Sequence, residues 1–424
     1  MIFFTFFLNL LSIFLFKRNF HFFSPIIIFC LFNNTLLIYY FFIIYDFPIV
    51  SNLQNGTALP LFMAGHNISS TVNLYLIFSI LCFFCTQIKI INFKKKENLN
   101  YNLIDGNNLF IKSLSFLFII LIIIHAIDLD WSVYWSYYEY LQVRDHSFAG
   151  RDISVTIIFD TSKRLIGLLS IFFFFILKKK DFIYKYSFLI VFFYILFLSF
   201  IEVSRFFPLL IMSIPISYLL VHNKISKLLF ILFLFITILA YFIVLEFRSS
   251  NQFGISVSVD QIKSIYKINF FSNLIKVFGN LFQGAVIYDI SQNIETYYPL
   301  KHKILSFLPT LTVIDGWDVN WVNDNRITKF NPINSFGEAY KFGLIYLLIY
   351  QVIFVTLMYL GSANFSLNLQ NNKILYVAAI LNYFIIFFSS QYSLRPTMRL
   401  IIINFFLIII IDYISKKNNF LRKL

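Results

Sequence analysis

Eight of the ten arginines in the chain, Arg144, Arg151, Arg164, Arg205, Arg248, Arg326, Arg395 and Arg399, fall where a topology reading puts the outer face of a membrane. Basic residues normally crowd the inner face, so the inversion calls for an anionic reason. The guanidinium group is a planar five-donor fork that grips phosphate at two points, whereas lysine is a point charge that any lipid surface accepts. The pattern predicts an outer cavity that holds a phosphorylated ligand. Arg205 occupies the tight turn Ile201-Glu202-Val203-Ser204-Arg205, Arg248 ends an apolar run, and Arg395 and Arg399 flank Pro396 in the last outer turn. With Arg164 they put cations on four separate helix ends around one face. Each alone also reads as an interfacial side chain reaching for headgroups.

Other polar groups lie on the same side. Asp160, Lys163 and Arg164 interrupt an apolar run, and Asp160 is spaced to pair with Arg164 one turn on. All four tryptophans, Trp131, Trp135, Trp317 and Trp321, are in outer segments, and the last two keep company with Asp315, Asp318, Asn320, Asn323, Asp324 and Asn325. Flat apolar rings beside carboxylates and amides suit a sugar, although Trp and Tyr are also ordinary headgroup-level anchors. Asp128 and Asp130 have the spacing of a sugar-transferase metal motif, a pair that arises easily by chance. His66, His125, His146 and His302 show no metal-ligand spacing, so no metal is expected. Cys82 and Cys85 form a CxxC within an apolar stretch and read as buried thiols. Neither a nucleophile elbow nor a glycine-rich phosphate loop is present.

These residues must be mounted on membrane helices. With 59% hydrophobic and 13% charged residues, 58 Phe and a mean hydropathy of +0.78, the 424-residue chain has too little polar surface to coat a soluble globule. The predicted class is an all-α polytopic membrane protein. Its net charge of +14 resides largely in short lysine clusters such as Lys94 to Lys96 and Lys178 to Lys180, which read as topology signals and argue against a nucleic-acid partner. About eleven spans are predicted, at 2–16, 22–45, 70–90, 109–127, 154–177, 187–203, 206–221, 228–247, 341–361, 374–390 and 398–414. The lysine clusters place the N-terminus outside and the C-terminus inside.

That orientation divides the chain into spans one to eight (1–247), a long outer segment (248–340) and spans nine to eleven with a basic tail (341–424). Within the long segment the stretch Asp260 to Ile290 has apolar residues at mostly helical spacing, which predicts a helix lying on the outer membrane surface.

Where this segment meets span nine, the chain reads Pro332-Ile333-Asn334-Ser335-Phe336-Gly337-Glu338-Ala339-Tyr340-Lys341-Phe342-Gly343. This stretch and the topology resemble the Wzy-type, or O-antigen, polymerases of oligosaccharide repeat units. Gly279-Asn280-Leu281-Phe282-Gln283-Gly284 and the Arg–Gly spacings Arg151–Gly167 and Arg326–Gly337 agree more weakly. The resemblance implies a GT-C-like glycosyltransferase of the bacterial inner membrane, making O-antigen (lipopolysaccharide) or capsule. It would move the growing glycan from undecaprenyl diphosphate to the non-reducing end of a new lipid-linked unit, without metal or cofactor. Arg248 and Arg326 would stabilise the departing diphosphate, with Arg164, Arg205, Arg395 and Arg399 as further diphosphate contacts. Glu338, Asp318 or Asp324 would take the proton from the attacking hydroxyl. Trp131, Trp135, Trp317 and Trp321 would line the sugar path. Implied partners are the lipid-linked oligosaccharide, membrane lipid, a chain-length regulator and a flippase.

Alternatives are an O-antigen ligase, which is similarly built and usually carries a functional histidine in its large outer loop, and a flippase or exporter of lipid-linked sugar. A metal-dependent transferase resting on Asp128 and Asp130 is a third. His302 is followed by Lys303 rather than a small polar residue, which favours the polymerase over the ligase.

Overall fold

Runs of Phe, Ile and Leu that cannot hydrogen-bond their backbone to lipid must satisfy it internally, which in these sequences means helices. The computed structural model describes residues 1–20, 24–45, 64–87, 109–138, 155–177, 181–222, 226–248, 252–264, 277, 279–308, 325–328, 331–368 and 375–421. Among these, six helices are long and apolar enough to cross a membrane: Pro25–Ile44, Ile68–Gln87, Ile111–Asp128, Phe182–Ile201, Leu228–Arg248 and Leu344–Ala363. The protein is a helical, membrane-embedded chain. Its only sheet among the described residues is a two-stranded ladder, β1 (Arg326–Thr328) with β2 (Asn331–Pro332).

The chain divides into two compact units, one of residues 1–99 with 278–424 and the other of residues 100–277. The boundary falls inside the long segment that the sequence reading treats as one outer subdomain.

The discontinuous unit holds α1 (Ile2–Asn19), α2 (Pro25–Ile44), α3 (Ile68–Gln87), α11 (Gly284–Gln292), α12 (Leu300–Phe307), α13 (Ser335–Phe342), α14 (Leu344–Asn368), α15 (Leu375–Gln391) and α16 (Leu394–Leu421). Its core is aromatic: Phe29, Phe78, Phe336 and Phe354 meet edge to face or tilted, 5.0–6.0 Å between ring centres. Such packing must supply helix association where lipid removes the hydrophobic drive between helices, and interhelical polar bonds supplement it. Asn9 donates to Asn34 (2.8 Å), Gln351 to the Leu74 carbonyl (3.2 Å) and Asn404 to Asn382 (2.7 Å). Ser362 accepts from the Ile26 N–H at the first turn of α2 (2.8 Å). Gly361 lets α14 and α15 touch, since a Cβ there would stand 1.9 Å from the Asn382 amide nitrogen.

The contiguous unit holds α4 (Leu109–Asp128), α5 (Trp131–Trp135), α6 (Val155–Ile176), α7 (Phe182–Ile201), α8 (Phe206–His222), α9 (Lys227–Arg248) and α10 (Ile255–Ser264). Gly167 of α6 brings that helix against Ile195 and Leu210, each about 3 Å from where a Cβ would stand. Tyr137 and Phe253 exchange both backbone hydrogen bonds (3.0 and 2.8 Å) and stack their rings 5.2 Å apart, tying the segment after α5 to that after α9.

Two sequence expectations need correction. The stretch from Asp260 to Ile290 is not one continuous surface-lying helix: residues 265–276 and 278, which carry most of its apolar spacing, lie outside the described residues, but a turn at Gln283 separates what precedes it from α11, and every residue of α11 from Gly284 to Ser291 is buried. Its small and polar residues fit a crowded interior, which an apolar-spacing argument does not register. Span nine does not begin at Lys341 either. Gly343, at φ +129°, ends α13, and the apolar helix starts afresh at Leu344.

Candidate functional site

The stretch that carries the resemblance folds into α13, and nearly every polar group in its first turn is engaged. Asn334 caps the helix by accepting from the Gly337 N–H (2.8 Å), while its amide donates to the Gly284 (2.8 Å) and Ser390 (3.3 Å) carbonyls. Ser335 donates to the Ser389 carbonyl (2.7 Å) and accepts from Tyr350 (2.8 Å). Gly337 has no room for a side chain, because a Cβ would lie 2.5 Å from Ser291 Oγ and 2.9 Å from Ile333 Cγ2.

Glu338, 3% exposed, is the centre of this arrangement. One carboxylate oxygen lies 3.0 Å from His302 Nε2, and the other accepts from the Leu394 N–H at 2.6 Å. His302, fully buried on α12, rests against Tyr298 and Phe342, with ring centres 5.0 and 5.7 Å away. Burial, then the charge of Glu338, raises the Tyr298 phenol above its ordinary range. Leu394 opens α16, so Glu338 holds the backbone one residue before buried Arg395 and five before half-buried Arg399.

Two lysines seal neighbouring helix ends, as cations at C-termini do. Lys303 donates to the Phe342 carbonyl (3.1 Å), and Lys341 to those of Gln292 (3.2 Å) and Ile294 (2.6 Å). Burial lowers the Lys341 ammonium, with Glu295 opposing. Half-buried Arg326 opens β1 next to Asn325, which exchanges two hydrogen bonds with the Tyr297 backbone (3.2 and 3.1 Å). Tyr297 precedes the tyrosine that packs on His302.

The second cluster is the Glu202–Arg205 turn of the contiguous unit. Helix α7 ends in a full Schellman motif, with Val203 N–H on the Phe200 carbonyl (3.0 Å) and Ser204 N–H on that of Ser199 (2.9 Å). The left-handed position is taken by Val203, at φ +50°, where glycine is usual. A side chain there costs about 1–2 kcal/mol, and a β-branched one is an outlier. Three neighbours hold the turn. Tyr137 donates to the Ile201 carbonyl (2.5 Å), Lys163 pairs with Glu202 (2.5 Å), and Arg248 donates to the Val203 carbonyl from both Nε (3.1 Å) and Nη2 (3.0 Å). Tyr134 adds a longer bond to Glu202 (3.3 Å). Exposed Arg164 stands 5.9 Å over the Phe206 ring.

Of the remaining expected residues, Trp317, Trp321, Asp318, Asp315, Asp324, Arg144 and Arg151 lie outside the described residues, as does the Asp160 side chain. Trp131 and Trp135 are exposed on α5; Trp131 donates to the Ala126 carbonyl (2.9 Å), and the Trp135 carbonyl accepts from Ser256 (2.9 Å). Asp130 caps α5 through the Ser132 N–H (3.0 Å). Among the described residues no three His, Cys, Asp or Glu gather as a metal site. Of the eight arginines expected at the outer face, the six described ones thus fall into two sets, Arg164, Arg205 and Arg248 in one unit and Arg326, Arg395 and Arg399 in the other.

Sequence reasoning missed Asn334, Asp289 and the His302 partnership. Asn334 carries a signal, a cap residue directly before a helical stretch. Asp289 accepts from the Gly65 (2.5 Å) and Asn67 (2.9 Å) N–H groups ahead of α3, a pairing across more than two hundred residues that no local pattern announces.

The fold defines a helical membrane protein, and its described polar residues include two arginine-bearing clusters. No family model matches the chain, and no curated protein or solved structure matches it.

Proposed function

We propose that the protein is a polymerase of surface-polysaccharide repeat units, a glycosyltransferase that moves a growing glycan from undecaprenyl diphosphate onto a new lipid-linked unit at the outer face of the bacterial inner membrane. The observation that carries this reading is the bond between Glu338 and the Leu394 N–H, which joins the stretch resembling the polymerases to the turn bearing Arg395 and Arg399. Departure of a lipid diphosphate develops negative charge, and guanidinium groups mounted on fixed backbone stabilise it without reorganising. The eleven-span, GT-C-like architecture belongs to the same proposal, with α1, α6, α8, α15 and α16 joining the six helices of sufficient length and hydropathy. Both oxygens of Glu338 are occupied and the group is buried, which favours Asp318 or Asp324 as acceptor of the hydroxyl proton and gives Glu338 a positioning role.

One observation favours a second reading, glycan ligase: a histidine of the long segment, His302, lies in this same cluster. Deletion of the gene, with a complemented control, separates the two when surface polysaccharide is profiled by gel and lipid-linked intermediates are extracted in parallel. Loss of the long-chain ladder with single units still reaching the surface supports the polymerase. Full-length chains stranded on the carrier outside support the ligase. Single units trapped on the inner leaflet indicate a flippase, and an unchanged profile removes the polysaccharide reading altogether.

A further inference from the structure

We infer that Arg248 and Arg205 divide one task. Arg205 is the group that meets the anion, and Arg248 is a positioning residue that acts only by fixing the turn from which Arg205 projects. This rests on the reading of the contiguous unit's arginines as diphosphate contacts, and it reassigns one of them.

The geometry is specific. The Arg248 fork is spent on a main-chain acceptor, with Nε and Nη2 converging on the Val203 carbonyl at 3.1 and 3.0 Å. A guanidinium bound in this way offers an anion at most its far edge. Its natural consequence is mechanical, because the carbonyl it holds belongs to the only non-glycine residue at positive φ among the described residues. A turn strained at Val203 tends to relax toward ordinary dihedrals, and such strain persists only where the surroundings over-determine it. Here they do. Ile201 is held by Tyr137, Glu202 by Lys163 and Tyr134, and Val203 by Arg248, so three consecutive residues are fixed by side chains from other elements.

Arg205 follows two residues later. Its Nε is buried and has no hydrogen-bond partner among the described residues. Glu202, the carboxylate of the same turn, is engaged by Lys163 and Tyr134. A guanidinium whose Nε has no hydrogen-bond partner among the described residues, on a backbone fixed at three points, is a receptor preorganised for a diphosphate, and a shift of the turn would misdirect it.

A double-mutant cycle tests this on the full-length protein in nanodiscs, with farnesyl diphosphate as the probe and binding measured by calorimetry. Arg205→Ala is expected to weaken binding roughly tenfold or more, and Arg248→Ala to weaken it severalfold. Arg205→Ala with Arg248→Ala should bind within a factor of about two of Arg205→Ala alone, because a residue acting only through Arg205 has nothing left to position. If Arg248→Ala does not yield folded protein, Arg248→Lys, which can make only one of the two bonds to the carbonyl, takes its place in the cycle. Losses that multiply in the double variant would overturn the division of labour and make Arg248 a direct contact, leaving the diphosphate reading intact. Unchanged binding in Arg248→Ala and Arg248→Lys would also overturn the positioning role. A wild-type protein that does not bind the probe, or an Arg205→Ala variant that binds it normally, would remove the diphosphate reading of this unit and the inference with it.

Discussion

Glu338 and Leu394 are joined by a carboxylate-to-backbone hydrogen bond of 2.6 Å, buried and spanning fifty-six residues of sequence. With His302 on its other oxygen, the carboxylate fixes α12 and α13 to the first turn of α16, which bears Arg395, with Arg399 one turn further on.

Glutamine can remake both contacts, its oxygen accepting from Leu394 and its amide donating to a neutral His302 nitrogen. Glu338→Gln is therefore expected to melt close to wild type in nanodiscs and, on the proposed function, to keep measurable polymer production. Glu338→Ala removes the acceptor of the buried Leu394 N–H and a contact of buried His302, at a cost of about 1–3 kcal/mol for the N–H alone, and should melt clearly lower. Complete loss of polymer in a normally stable Glu338→Gln would return the carboxylate to the chemistry.

Asn334 separates capping from anchoring. Asn334→Asp keeps the acceptor for Gly337 but loses both donors and sets a charge against the Gly284 and Ser390 carbonyls. It should be less stable than Asn334→Ala, which at an ordinary cap costs about 1 kcal/mol. Thermal melting of the two variants side by side decides; an aspartate as stable as asparagine would mean that the cap alone matters.

Gly361→Ala should push the Asn382 amide away and break its bond with Asn404, since the added carbon would stand 1.9 Å from the amide nitrogen. Overpacking of this kind costs about 1–3 kcal/mol. Shortening the obstacle relieves it, so Gly361→Ala with Asn382→Ala is expected to be more stable than Gly361→Ala alone. Strictly additive losses on melting would contradict the contact.

Asp289 gives a pH signature. Burial raises its carboxyl above the ordinary 3.8, although the Gly65 and Asn67 N–H groups and the Tyr40 hydroxyl, and then His66, pull the other way. A native carboxyl that holds its proton more tightly than the unfolded one contributes stability that is complete below 3.8 and is lost as the pH rises through the raised native value. Relative to Asp289→Asn, which cannot ionise, wild-type melting should decline as the pH rises above about 4. A difference that grows in the opposite direction would show that its three donors outweigh the burial.

The helices were largely legible because composition and length report them directly. The expected spans at 22–45, 70–90, 109–127 and 228–247 correspond to α2, α3, α4 and α9 within a few residues at each end. The expected span at 154–177 likewise matches α6, which runs unbroken through Lys163 and Arg164, but Lys163 pairs with Glu202 of the next outer turn. That partner is thirty-nine residues on, out of reach of a helix-spacing argument. Val203 was illegible for a different reason: nothing in a β-branched residue advertises a left-handed backbone, since the surroundings rather than its own preference put it there. For Glu338 the sequence supplied the residue and the structure its neighbours.

The discontinuity of the unit formed by residues 1–99 and 278–424 has a consequence for biogenesis. The contiguous unit can pack as it leaves the ribosome, whereas α1 to α3 must wait while residues 100–277 are made, at roughly 5–20 residues per second. Until then the α2 first turn lacks Ser362 and the Leu74 carbonyl lacks Gln351. The newborn N-terminal helices therefore spend many seconds in the bilayer with polar groups whose partners do not yet exist, which makes them natural clients of the insertion machinery until the last three helices arrive.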